Sequence, residues 1–397
     1  MNSPKTLAVK LRSKAEKYIK KGHPWVFSES IEKINKEAKS GDVAVLFGQR
    51  TNKAYAVGLF DAESPIRIKI LHSGGGIKID SHFFNQKVEN AFRLRQPLLE
   101  HDVDAYRLLF GENDGFPGLI CDVYNRIAVM KIYSAAWIPY LNAVSESIAA
   151  VADVDAIVLR LSRNVQNLKS SVQEGRVLYG TLNNSLITFR EYGVVFQTDV
   201  LLGHKTGFFL DHRENRKIIG QISKGKTVLD VFSYAGGFSV HALCGGAKEV
   251  TGIDFSKQAL ELAKTNVQLN PTKGRHHTLD GDAFTILKEL IQQKKKYDIV
   301  IIDPPSFAKS EKEIDVALKK YAELAELGVV LTQRKGILLL ASCSSQISES
   351  LFLNTHAEVF NQLEIAVSLE RITGHDSDHP ITFPEGAYLK SVYYRIG

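Results

Sequence analysis

The chain has 397 residues, 44% of them hydrophobic and 24% charged, with a formal net charge of +6. That is ordinary for a soluble globular protein and long enough for two or three domains with separate cores. Three cysteines (Cys121, Cys244, Cys343), odd in number and without a C-x-x-C pair, argue against a disulfide framework and against a zinc site. No apolar stretch reaches the length of a membrane span, so no membrane role, no metal and a reducing cytoplasm are the expectations. The mild basic excess is compatible with a polyanionic partner without demonstrating one.

Residues 1–73 carry short alternating runs, TLAVKL, DVAVLFG, AYAVGLF and PIRIKIL, whose period of two suits a small β-barrel. Between them the Lys-rich stretch 10–39 holds His23, Trp25 and Phe27. It reads either as an RNA-contacting segment or as a solvated amphipathic helix with Trp25 as a core anchor. A Gly-Gly-Gly run at 74–76 marks a linker. Residues 77–195 mix a helical pattern, DSHFFNQKVENAFRLRQPLL, with strands RIAVMKIYS, DAIVLRLS and SLITFREYG, giving a central α+β domain.

Residues 196–397 alternate strand and helix signals: TVLDVF, EVTGIDF, HHTLD, YDIVIIDPPSF and GILLLASCS, each but the last followed by a helical segment with a further helix before SLERITG and YLKSVYYRIG. This predicts a Rossmann-like, mainly parallel α/β sheet whose ligand sits at the carboxyl ends of the strands. At the first strand-to-helix turn stand Asp230, Phe232, Tyr234, Ala235 and Gly236. Small residues there admit a ligand close to the backbone, and the dinucleotide fingerprint G-x-G-x-x-G is absent, which disfavours a nicotinamide dehydrogenase. Asp254, with Phe255 beside it, ends the next strand where an acid can accept both ribose hydroxyls. Asp282 with Ala283 follows the third, where it can accept from an adenine amino group. Three acids at three successive strand ends fit an adenosine without a pyrophosphate, which describes S-adenosyl-L-methionine.

Asp303-Pro304-Pro305-Ser306-Phe307 closes the fourth strand as a rigid turn against which a flipped base can lie. Such turns serve methylation of exocyclic amines as well as of ring carbons. Cys343, at the end of the fifth strand between two serines, discriminates: a thiolate adding to carbon 6 of a pyrimidine makes carbon 5 nucleophilic. Cys121 and Cys244 read as structural. His375, Asp378 and His379 precede Pro380 and read as a loop rather than a metal site.

Along almost its whole length the chain resembles the bacterial 23S rRNA cytosine-5 methyltransferase I family. KGHPWVF, RLLFGENDGFPGLICDVY, KTGFFLDHRENR, DVFSYAGGFSVHAL, DPPSFAKS, SCS and DHPITFPEGAYLKSV occur in that family's order. The resemblance implies an N-terminal PUA-like RNA-binding domain, 23S rRNA as partner (naked or partly assembled large subunit, with a homodimer left open), and Cys343 as nucleophile; Asp303, from its place in the acid-Pro turn, is expected to orient and polarise the base and to border the cofactor. The resemblance also adds Lys205, Thr206, Phe208, Asp211 and Arg213 around the methionine end of the cofactor. Related two-cysteine enzymes carry a second cysteine where this chain has Ser306, so the group that removes the carbon-5 proton is open. An exocyclic-amine methyltransferase, and a noncatalytic RNA-binding ribosome-assembly factor, remain as alternatives.

Overall fold

Alternation of buried and exposed side chains builds the first sheet of the computed structural model, which describes residues 3–168 and 172–397. Strands β1 (Thr6–Leu11), β2 (Trp25–Phe27), β3 (Ile31–Ile34), β4 (Val43–Phe47), β5 (Ala54–Phe60) and β6 (Ile66–Ser73) pair in the order β2-β6-β5-β4-β1-β3. Only β1 and β4 run parallel. Leu7, Val9, Leu11, Leu46 and Ile68 fill its core with Ile19 from helix α1 (Ser13–Lys20). The Lys-rich stretch is thus one short helix and two short strands rather than a long helix; WVF and IEKI are too brief to announce a period.

A second sheet, β7 (Ala105–Phe110), β8 (Leu119–Tyr124), β9 (Ile127–Ile132), β10 (Ala156–Leu161) and β11 (Val177–Gly180), pairs in reverse chain order. It is accompanied by α2 (Ser81–Leu99), α3 (Leu141–Val151) and the single turn α4 (Arg163–Gln166). Asp80 caps α2 through the Phe83 amide. Strands β12 (Leu186–Glu191) and β13 (Val194–Asp199) form a hairpin turning at Tyr192 and Gly193, both with positive φ, as a two-residue type I′ turn requires. The sequence boundary expected at 195/196 falls inside β13.

The third sheet contains β14 (Thr227–Val231), β15 (Glu249–Asp254), β16 (Arg275–Asp280), β17 (Tyr297–Ile302), β18 (Thr332–Ser342), β19 (Val367–Thr373) and β20 (Lys390–Ile396). Their order is β16-β15-β14-β17-β18-β20-β19, with β20 antiparallel to both neighbours and the first five strands parallel. Helices α5 (Arg213–Ile222), α6 (Gly237–Cys244), α7 (Lys257–Gln268), α8 (Ala283–Gln292), α9 (Ile314–Leu331) and α10 (Glu349–Gln362) complete the alternation. Side chains alternate across the sheet, as strand geometry dictates. Ile299, Ile301, Ile337 and Leu339 meet α5 and α6, whereas Val300, Ile302, Leu338 and Leu340 meet α8, α9 and α10. Sheet growth reverses between β14 and β17, which places the topological switch point at Val231 and Asp303.

By packing, the chain falls into two compact units: residues 1–189, 198–210 and 377–384, and residues 190–197, 211–376 and 385–397. The first two sheets share one unit.

Candidate active site

The tips of β17 and β18 lie side by side. Ile302 pairs with Leu340, and just beyond that pair Cys343 Sγ stands 3.7 Å from the carbonyl oxygen of Pro304. The acid-Pro turn and the thiol therefore belong to one surface. The turn is braced from within. Ser306 Oγ donates to Ala308 O (3.1 Å), Ser344 Oγ donates to the same carbonyl (2.7 Å), and the Phe307 ring packs on Tyr321 with centroids 5.2 Å apart. Ser342 Oγ donates to Tyr321 Oη at 2.9 Å. The serines flanking the thiol are framework, and Ser306 is committed to its own loop.

A residue that sequence reasoning passed over, Lys390, completes this corner. It opens β20 opposite Ser342, is buried, and its Nζ donates to the carbonyls of Ser344 and Ile347, each at 2.6 Å. Burial drops its pKa to about 8, while the Cys343 and Glu349 charges pull the other way. A buried ammonium on the turn that follows a thiol favours the thiolate, the form that acts as nucleophile. The lysine lay in view within GAYLKSV; only the antiparallel insertion of β20 beside β18 reveals its position.

The cofactor side begins at the turn after β14. Phe232, Tyr234 and Gly236 all have positive φ (64°, 46° and 77°). Two non-glycine residues in the left-handed region store strain, which persists only where surrounding structure enforces it. Such alternation turns successive amides to one side and makes a concavity suited to an anionic group. At Gly236 a Cβ would come within 2.9 Å of Ala263 Cβ, so the glycine serves both the turn and the close packing. Asp254 stabilises the concavity: Oδ2 accepts from the Tyr234 amide and Oδ1 from the Ser256 amide, both near 2.9 Å. Phe255 beside it is 83% exposed. Asp282 caps α8, its Oδ1 accepting from the amide and hydroxyl of Thr285 at 2.9 Å. Ala235 and Ala283 are buried, so they can shape a pocket only through backbone and bulk.

Other expected ligand contacts lie elsewhere. Asp230 is buried beneath the turn, where Oδ2 accepts from Ser239 N (3.0 Å) and Ser239 Oγ (2.6 Å); it holds the start of α6 rather than facing a ligand. Burial, with Asp303 and Asp254 nearby, lifts its pKa to about 7 against the two Ser239 bonds. Arg213 is buried and ion-paired with Asp376 at 2.7 Å, because an unpaired guanidinium could not be desolvated there. Thr206 is fully buried, donating to Asp122 Oδ2 (2.6 Å), and Phe208 packs against Phe189 with its carbonyl accepting from the Tyr124 phenol. In the structure these four side chains serve as struts, each bonded to or packed on another part of the chain. Lys205 is exposed with φ 54°, its ammonium over the Phe209 ring, and Asp211 Oδ2 accepts from the Tyr388 phenol at 2.8 Å.

Trp25 is half-buried rather than core. Its indole N–H donates to Glu112 Oε1 (2.9 Å), and its ring meets Phe383 edge-on. Cys121 is buried but Cys244 is exposed at the end of α6. His375 Nε2 accepts the amides of Tyr388 and Leu389, while Asp378 is buried and accepts the Arg107 amide. Among the described residues, no cluster of three His, Cys, Asp or Glu side chains is placed to hold a metal. None of the described helices is long and apolar enough to cross a membrane.

Comparison with known proteins identifies the family. Residues 179–387 match the S-adenosylmethionine-dependent methyltransferase family and residues 9–73 match a PUA-like domain. The chain is 40% identical to a ribosomal RNA large subunit methyltransferase of Deinococcus radiodurans, with all of both chains covered. It is 34% identical to ribosomal RNA large subunit methyltransferase I of Tolumonas auensis, with 98% of each covered. Among solved structures it resembles an S-adenosylmethionine-dependent methyltransferase from Streptococcus mutans (TM-score 0.83, 22% identity, 98% and 99% covered). It also resembles a methyltransferase complexed with SAH (TM-score 0.83, 23% identity, 98% and 100% covered); at these identities both show the fold alone.

Proposed function

The chain belongs to the S-adenosylmethionine-dependent methyltransferases, within the group of ribosomal RNA large subunit methyltransferases, and from that premise we propose that it makes 5-methylcytosine in 23S rRNA through a covalent adduct on Cys343. The observation that carries the proposal is the juxtaposition of Cys343 Sγ with the Asp303-Pro304-Pro305 turn at 3.7 Å, beside the buried ammonium of Lys390. An enzyme for exocyclic amines needs the turn but not the thiol.

The cofactor, when bound, supplies a methyl group from its sulfonium. The residues fit such a group: the strained turn 232–236 offers amides to the methionine carboxylate, Asp254 offers acceptor lone pairs to the ribose, and Phe255, Asp282 and Ala283 border the adenine. Asp211 is assigned to the methionine end.

On the base side, Pro304, Pro305 and Phe307 provide a flat, donor-poor wall, with Ser306 stiffening it. Asp303 accepts from the cytosine amino group and holds the ring. The Cys343 thiolate bonds carbon 6, and the carbon 5–carbon 6 electron pair moves to carbon 5, which takes the methyl. Loss of the carbon-5 proton to a base then restores the double bond and expels the thiolate. The RNA is delivered with help from the PUA-like unit.

Replacing Cys343 by Ala should abolish 5-methylcytosine on protein-free 23S rRNA while S-adenosylmethionine binding, followed by calorimetry, persists. Bisulfite mapping of the rRNA reads base and position together. A Cys343→Ala enzyme that still methylates would sink the covalent route and favour the amine reading.

A further inference from the structure

We propose that His212 is the positioning residue that fixes the Asp303 carboxylate for the base, and that Asn215 sets the imidazole tautomer that allows it to do so. The proposal rests on the reading of Asp303 as the base-holding acid and deepens it. His212 precedes α5 and is 4% exposed, with the Phe238 ring edge-on at 5.5 Å. Its Nε2 stands 3.3 Å from Asp303 Oδ1. That approach is close but not yet an aligned hydrogen bond, and no other partner for the buried Nε2 exists among the described residues. Catalytic hydrogen bonds often tighten only when substrate is bound.

The other ring nitrogen is settled by what lies behind it. Asn215 Nδ2 is 3.1 Å from His212 Nδ1 and 3.3 Å from Ser391 Oγ, distances that suit N–H donors. Asn215 Oδ1 lies 2.6 Å from Thr373 Oγ1 and 2.7 Å from the Tyr393 phenol, separations that suit O–H donors to a carbonyl oxygen. The amide thus presents its NH2 to Nδ1, which must be the unprotonated nitrogen. The single ring proton is left on Nε2, facing Asp303. A relay runs from Thr373 and Tyr393 through Asn215 and His212 to the strand tip, and every member lies in the same compact unit.

The neighbours do not compete for this role. Arg216 is committed to Glu191 through two bonds of 2.7 Å, and Asp211 accepts from Tyr388. Asp230, the other acid near Asp303, is tied to Ser239, and the Tyr321 phenol is bonded to Ser342. Burial opposes charge on the His212 ring; Asp303, then Asp211, outweigh it, so the pKa is raised and the neutral tautomer is the form found above it. With Oδ1 engaged by an N–H, the carboxylate loses its rotational freedom and its second oxygen is presented to the cytosine amino group. An acceptor held there suits a base that carries an exocyclic amine and opposes uracil, whose corresponding group is a carbonyl.

The test has two arms. Nitrogen-15 NMR of the histidine rings in the wild-type protein, recorded at a pH above the end of the His212 titration, should show His212 as the neutral tautomer protonated on Nε2. A ring protonated on Nδ1, or on both nitrogens, overturns the relay without any variant having to fold. In the second arm, His212→Phe should lower kcat on 23S rRNA about tenfold to a hundredfold, the scale of a misplaced reacting group, with S-adenosylmethionine affinity unchanged. His212→Gln, whose amide reaches the Nε2 position, should recover most of the loss. Wild-type kcat in the Phe variant, or a Gln variant no better than Phe, refutes the positioning role. Methylation by Cys343→Ala would instead take down the base reading itself, a result that leaves the NMR tautomer as found.

Discussion

Framework acids of the first unit and strand-tip acids of the seven-stranded unit are partnered in opposite ways, while Glu191 and Asp376 give the second unit framework pairs of its own. In the unit that holds the first two sheets, three enclosed carboxylates are matched to cations. Asp114 meets Arg95 through two bonds (2.9 and 2.6 Å), Asp122 meets Arg107 through two (2.7 and 2.8 Å), and Asp61 meets Lys69 at 2.9 Å. In the seven-stranded unit, the acids at the strand tips face amides, hydroxyls or an imidazole: Asp254 holds two amides, Asp282 caps a helix and Asp303 faces His212. A carboxylate enclosed by a guanidinium has its charge and both oxygens spent. One held by amides keeps lone pairs and charge for a ligand, so the kind of partner separates framework from site better than the presence of an acid does.

Breaking the first kind of pair should have the larger effect on folding. Arg95→Met leaves Asp114 buried without its guanidinium and should cost about 3–5 kcal/mol in urea unfolding, since an uncompensated buried charge remains. Loss of less than 1 kcal/mol would mean the pair is not desolvated as the structure has it. Asp254→Ala, by contrast, removes two hydrogen bonds to partly exposed amides and should cost only about 1–2 kcal/mol, yet weaken S-adenosylmethionine binding about tenfold or more in calorimetry. Equal binding in variant and wild type would remove Asp254 from the ribose.

The smallest effect sharpens the exception, Asp230, a strand acid that is buried without a cation. Its pKa is raised from the usual carboxylate range to about 7. A raised folded value means that this group's contribution to stability is fully present below the unfolded value near 3.8, and is lost as pH rises through about 7. Asp230→Asn should therefore flatten the decline in thermal stability between about pH 4 and pH 7 relative to wild type. Parallel curves for the two proteins would show that Asp230 is not carrying that proton.

The parallel sheet was legible because its strands are buried on both faces and read as continuous apolar runs. YDIVIIDPPSF and GILLLASCS announced both themselves and their tips. Asp303 and Cys343 were legible for the same reason. Short strands such as Trp25–Phe27 and Ile31–Ile34 were not, since three or four residues show no period. Nor could sequence distinguish Thr206, Phe208 and Arg213 as struts, because their burial depends on Asp122, Phe189 and Asp376, which are distant along the chain. His212 and Asn215 stood in a motif read for other residues. Their roles follow only when Thr373 and Tyr393 arrive from strands more than 150 residues later.

Strand β20 has a consequence for the order of assembly. It enters the sheet between β18 and β19, so β19 cannot take its place as a hairpin partner of β18, and the Ser344–Ile347 turn is tied down only when Lys390 reaches it. During synthesis the ribosome makes the thiol first, and Lys390 with its ammonium only after strand β19. The reactive corner is therefore a late, non-local event in folding. A nascent chain that has not yet added β20 has Cys343 but not the Lys390 ammonium that ties down its turn.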